Sequence, residues 1–144
     1  MYSKDSQDVL EVRASLEALA AKLACKHMDE RSFLKLQLII AEYEYAAKED
    51  DIEVMIQKDI EFHDTIAEAS RNEKLVQLYN NMREQVQRYR ITYLKNTEES
   101  SAVIAEHNAM LEALKNRDSE LASQLATKHI ETQCSSIMKF IQSK

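Results

Sequence analysis

The chain has 144 residues, 44% hydrophobic and 31% charged, a formal net charge of −6, and no glycine, proline or tryptophan. That length suits one domain with its own core. Without glycine, a phosphate-binding loop, a dinucleotide fingerprint and a nucleophile elbow are excluded, and tight hairpins are disfavoured. The negative charge disfavours direct binding of DNA or RNA by this chain.

Ala, Leu, Glu, Lys and Gln fill most of the sequence, which predicts an all-α fold. Six helices can be drawn. The first covers about 6–27, with the apolar stripe Val9, Val12, Leu16, Leu19, Leu23. The second follows Asp29 as N-cap and carries Phe33, Leu36, Ile40 and Tyr43. Glu49, Asp50 and Asp51 favour a new helix start, since negative charge suits the positive end of the helix dipole. That third helix runs to about Ser70. Asn72 caps a fourth, with Leu75, Leu78, Tyr79, Met82, Val86 and Tyr89. The stretch 96–101 reads as a polar loop. A fifth helix holds Val103, Ile104, Leu111 and Leu114, and Asp118 or Ser119 caps a sixth with Leu121, Leu125, Ile130, Ile137 and Phe140. Short connections predict an antiparallel bundle of about six helices. No apolar run approaches the ~18 residues needed to span a bilayer. The start, MYSKDSQD, is unlike a signal peptide, and Cys25 and Cys134 are too few for a disulfide framework. The expected compartment is the cytoplasm.

Ionisable groups interrupt three of the apolar stripes. On the third helix, Asp59 and His63 stand at i and i+4 between Met55/Ile56 and Ile66, on the apolar face. A carboxylate taken out of water there needs a partner, a cation or a metal. His107 breaks the stripe Val103/Ile104, Leu111, Leu114, and His129 breaks the stripe Ala122, Leu125. Three imidazoles and a carboxylate from three helices suit a divalent transition metal: Zn first, with Ni, Mn, Co or Fe(II) also accommodated. Hydrogen-bonded core histidines and an Asp59–His63 ion pair are the other reading of the same pattern. No residue three before these histidines is Glu, so a helical di-iron site is absent. His27 reads as capping at a helix C-terminus. Arg13 is either a surface partner of Glu17 at i+4 or a guanidinium facing an internal anion. Arg83, Arg88 and Arg90 read as a solvated face.

Four segments carry a resemblance. DVLEVRASLEALAAKLA, DIEFHDTIAEASRNEKLVQLY, EHNAMLEAL and DSELASQLATKHI resemble the FCD domain, the effector-binding half of FadR-like GntR-type bacterial transcription regulators. The resemblance spans roughly residues 8–130. It implies that Asp59, His63, His107 and His129 hold a divalent metal in a bundle pocket, beside which a small carboxylate metabolite binds. It implies a ligand role for Arg13, in the Glu-Val-Arg motif, and for Asn72, in the Ala-Ser-x-Asn motif, where helix capping explains the residue equally well. Members normally carry a winged helix-turn-helix before this domain. The expectation is one FCD-like domain over 1–144 without that DNA reader, dimeric, reaching DNA only through a linked domain. Two readings of other classes compete: a metal-dependent enzyme, and a purely structural dimerisation module.

Overall fold

The computed structural model describes residues 4–96 and 100–142. Among these residues seven helices follow one another: α1 (Lys4–His27), α2 (Glu30–Lys48), α3 (Ile52–Ala69), α4 (Glu73–Asn81), α5 (Arg83–Asn96), α6 (Ser100–Lys115) and α7 (Ser119–Gln142). No strand occurs among the described residues. Of the polar loop predicted over 96–101, residues 97–99 lie outside the described residues while Asn96, Ser100 and Ser101 are helical; the side chain of the predicted core position Phe140 also lies outside them.

Helix starts are set by short acidic or amide side chains, each accepting from a backbone N–H left free in the first turn. Asp29 accepts from Ser32, Asp51 from Val54, Asn72 from Leu75 and Asp118 from Leu121. Helix ends are less expected. With no glycine available, three of the described residues take positive φ: Asp50 at 55°, Arg71 at 56° and Arg117 at 56°. Each stands just after a helix, where a left-handed residue lets the chain turn and closes the last carbonyls. After α2 and α6 the pattern is complete: Asp51 N–H reaches Ala46 O and Asp118 N–H reaches Ala113 O. Arg117 then donates to Cys25 O at 2.7 Å and Met28 O at 2.8 Å, capping the distant end of α1. Arg71 makes no such compensating bond and is exposed. A left-handed non-glycine residue costs about 1–2 kcal/mol, part of which glycine returns as unfolded-chain entropy. Arg71→Gly is therefore expected to raise stability by about 0.5 kcal/mol, read as a higher urea midpoint at unchanged slope.

Two expectations are corrected. The predicted fourth helix is two, α4 and α5, parted at Met82 (φ −101°, ψ 4°). Asn80 and Asn81 precede the break, and amide side chains compete with helical backbone bonds. Across the break Asn80 Oδ1 accepts from Arg83 Nη2 at 2.8 Å, a bond between side chains. The stripe assigned to α1 is also displaced: Val12 and Leu19 are 49% and 41% exposed. The face that α1 buries is Val9, Leu10, Arg13, Glu17, Ala20, Ala21, Ala24. Alanines there let α1 approach α7, its main partner, whose facing core residues include Ala122 and Ala126.

Buried apolar residues form two clusters. The larger joins Ala20–Cys25, Phe33–Ile40, Phe62, Ile66, Leu75 and Met110–Leu114; the smaller joins Tyr43, Met55, Tyr93, Val103 and Ile137. Along α3, Asp59 lies between Met55 of one and Phe62 of the other. Along α6, His107 lies between Val103 and Met110, and along α7, His129 lies between Ala126 and Ile137. A layer of ionisable groups thus separates the halves of the core.

Candidate metal centre

Asp59, His63, His107 and His129 are each at most 1% exposed. One possible ligand atom from each falls within 4.8 Å of all the others. Donors around one ion at about 2.0–2.2 Å stand at most ~4.4 Å apart, so the cluster is close to that span. Asp59 Oδ1 is 3.2 Å from His107 Nε2 and 3.5 Å from His63 Nε2. All three atoms are buried without a hydrogen-bond partner. Buried polar atoms are rarely left so, and three converging on one point fit a cation.

Surrounding side chains aim these donors. Glu17 Oε1 lies 2.9 Å from His63 Nδ1, and Glu106 Oε1 lies 2.7 Å from His129 Nδ1. A carboxylate only accepts, so each Nδ1 carries a proton and Nε2 is the atom turned toward the cluster. Such carboxylate–histidine pairs orient imidazole ligands and raise their basicity. His107 is held by packing instead, stacked on Phe62 with centroids 3.9 Å apart and edged by Tyr43. Arg90 Nε donates to Asp59 Oδ2 at 2.6 Å, which leaves Oδ1 facing the histidines. Gln133 Nε2 donates to His129 Nε2 at 3.3 Å, and its Oε1 accepts from Arg13 Nη1 at 3.2 Å.

The electrostatics follow from this layout. Burial opposes charge on Asp59, yet His63, His107 and Arg90 hold its carboxyl well below the usual range. Burial likewise opposes Glu17, but His63, Arg13 and Arg90 bring it to about 2. For His63 burial is outweighed by Glu17 and Asp59, which raise it to about 9. His107 goes the other way, pushed down to about 4 chiefly by burial. One imidazole is thus cationic and a neighbour neutral at pH 7.

The four predicted donors therefore meet at one place. Arg13 is fully buried rather than at the surface, and its Nε donates to Glu17 Oε2 at 3.2 Å. Asn72 stands apart from the four-residue cluster, its Oδ1 engaged in capping α4. His27 is exposed at the end of α1, as read. Arg83 and Arg88 are exposed, but Arg90 is only 3% exposed and belongs to the centre, which corrects the solvated-face reading. Its signal was present: Val86, Arg90, Tyr93 and Leu94 share one helical face. Gln133 was legible in the same way, between His129/Ile130 and Ile137. Glu17 and Glu106 carried no apolar-face signal of comparable strength.

Comparison with known proteins agrees with this architecture. The family model described as FCD domain matches residues 8–132. A Bacillus subtilis (strain 168) protein named as an uncharacterised HTH-type transcriptional regulator, YdhC, is 25% identical over 136 residues. That alignment covers 93% of this chain and 60% of YdhC, so the chain spans less than two thirds of that relative. Among solved structures, E. coli McbR/YncC superposes with a TM-score of 0.86 at 20% identity, over 96% of this chain and 71% of that one. Streptococcus agalactiae GntR superposes with a TM-score of 0.73 at 22% identity, over 92% and 62%. These structural likenesses establish the shared fold.

Proposed function

The chain belongs to the FCD-domain family, and from that premise we propose that it is the effector-sensing domain of a GntR-type transcription regulator. In this reading Asp59, His63, His107 and His129 hold a divalent transition metal, zinc first. A small organic acid binds beside it and biases a linked DNA-binding domain. The observation that carries the reading is the convergence of three unpartnered buried donors, Asp59 Oδ1, His63 Nε2 and His107 Nε2. In a purely structural core the large majority of buried side-chain polar atoms are paired.

A cation adds positive charge to a layer in which Arg13, bonded to Glu17 and Gln133, keeps its Nη2 for an anion. Differential affinity of that anion for two bundle arrangements would supply the signal. The chain is not read as an enzyme: the curated relative is named as a regulator. A homodimer is part of the proposal. Leu34, Leu38 and Tyr45 are 56%, 61% and 67% exposed along one face of α2, an apolar stripe suited to a second subunit. No helix among the described residues is long and apolar enough to cross a membrane.

The test is native mass spectrometry of protein purified without chelator or imidazole, followed by melting with and without chelator. The expected result is one divalent ion per chain, in a dimer. Because the ion binds the native state alone, chelation should lower the melting temperature; a Kd a thousandfold below the free metal concentration corresponds to about 4 kcal/mol. A metal-free protein after loading with Zn(II), Ni(II) or Co(II) would overturn the assignment.

A further inference from the structure

Six buried side-chain polar atoms among the described residues lack a hydrogen-bond partner. Three are the donors already assigned to a cation. The other three are Arg13 Nη2, Arg90 Nη2 and Tyr43 OH, which come from α1, α5 and α2. They belong to the same layer. Arg13 bonds Glu17, whose other oxygen lies on His63, and Arg90 bonds Asp59. Tyr43 lies against His107 and feels Asp59. Each guanidinium spends two nitrogens within the protein. Arg13 uses Nε and Nη1 on Glu17 and Gln133, and Arg90 uses the same pair on Asp59 and Gln87. What remains free on each is one NH₂ group, a pure donor. Buried donors with no acceptor in the protein call for an acceptor from outside.

The charges say how many. Arg13, Arg90, Glu17 and Asp59 are all at most 4% exposed, and two positive charges balance two negative. A divalent ion held by neutral imidazoles adds two positive charges with no buried counterpart. Glu106 is 26% exposed and shares its charge with solvent. A monoanion leaves the layer positive, and an uncompensated buried charge is strongly unfavourable. A dianion closes the balance.

We propose that the effector is a small dicarboxylate, one carboxylate at the four-donor cluster and the other on the free Nη2 groups of Arg13 and Arg90, with Tyr43 OH donating to it. This rests on the metal-centred reading above and narrows its ligand from an organic acid to a dianion. It makes Arg90 a ligand-positioning residue in its own right, beyond its bond to Asp59. It also makes binding much stronger with the metal in place, since only the divalent ion gives the layer the two surplus positive charges that a dianion balances.

The experiment is calorimetric titration of Zn(II)-loaded protein, its metal content confirmed by native mass spectrometry first. The probes are matched pairs, succinate against butyrate and malate against 3-hydroxybutyrate, with inorganic phosphate as a compact dianion. Each diacid is expected to bind at least about tenfold tighter than its monoacid partner, the scale of one charge-assisted hydrogen bond. Arg90→Lys and Arg13→Lys should each remove most of that preference, read as a larger loss of diacid than of monoacid affinity. Arg13 bonds no metal donor directly, so Arg13→Lys keeps the test decisive if Arg90→Lys disturbs Asp59. Tyr43→Phe should give a smaller loss of the same kind. Equal affinity for diacid and monoacid would overturn the proposal, as would phosphate outcompeting both diacids. Failure of the protein to load metal would instead overturn the underlying reading.

Discussion

Replacing His107 with leucine is expected to abolish high-affinity metal binding while the bundle persists. His107 is 1% exposed and offers Nε2 to Asp59 Oδ1 without forming a hydrogen bond. Its ring is neutral at working pH, because burial holds its pKa near 4, so it has no proton to shed before ligating. Losing even an outer partner of a metal ligand typically costs 10–100-fold in affinity, so losing the ligand itself should cost about a hundredfold or more. Leucine keeps most of the volume stacked on Phe62 and removes an unpartnered polar atom, so the metal-free variant should melt no lower than the metal-free parent. Equilibrium titration with Zn(II) and melting with chelator check both halves. The structural reading, with His107 merely a core residue, expects no change in metal affinity.

Metal affinity should rise about tenfold per pH unit between roughly pH 7 and 9, and level off above that. The cause is His63, raised to about 9 against the effect of burial by Glu17 and Asp59. In the metal-free protein at pH 7 its imidazolium occupies the role of the ion, and ligation must expel that proton. An unperturbed histidine would level off above about pH 6.5 instead. The sign for stability follows. The folded value lies above the unfolded one, so this contribution is complete below about pH 6.5 and is lost as pH rises through about 9. The metal-free protein should therefore melt progressively lower over that window, and the gap to the loaded protein should widen. Calorimetry of Ni(II) binding in buffers of different ionisation enthalpy should report about one proton released at pH 7.5. Glu17→Gln removes one of the two carboxylates behind the shift. It should move the levelling-off to lower pH, and an unchanged profile would show that Glu17 does not set it.

That Asp59, His63, His107 and His129 point inward from their helices was legible from spacing, because a histidine or aspartate on an apolar stripe breaks a strong period. The caps at Asp29, Asp51, Asn72 and Asp118 were legible too, since each is a local bond between a side chain and the next turn. Both are short-range properties, written within four residues. The α1 stripe shows where that logic stops. Val12, Leu16, Leu19 and Leu23 form the more hydrophobic face, yet α1 buries alanines, Arg13 and Glu17. The choice between two faces depends on what lies opposite. Here that is α7, with Ala122 and Ala126 allowing close approach and Gln133 waiting to accept from Arg13.

The supporting shell has the same origin. Arg13 reaches Gln133 across 120 positions, Glu17 reaches His63 across 46 and Arg90 reaches Asp59 across 31. Along the chain each is a charge like any other of the 44 that Lys, Arg, Asp and Glu contribute (19 + 25), most of them solvated. Local sequence determines that a helix forms and which residues share a face, because backbone bonding and side-chain period act within a turn or two. Which buried charge meets which is decided only when the helices pack. There, loss of solvent makes an unpaired ion too costly to keep, and the core admits only the arrangement in which Arg90, Glu17 and the histidines compensate one another.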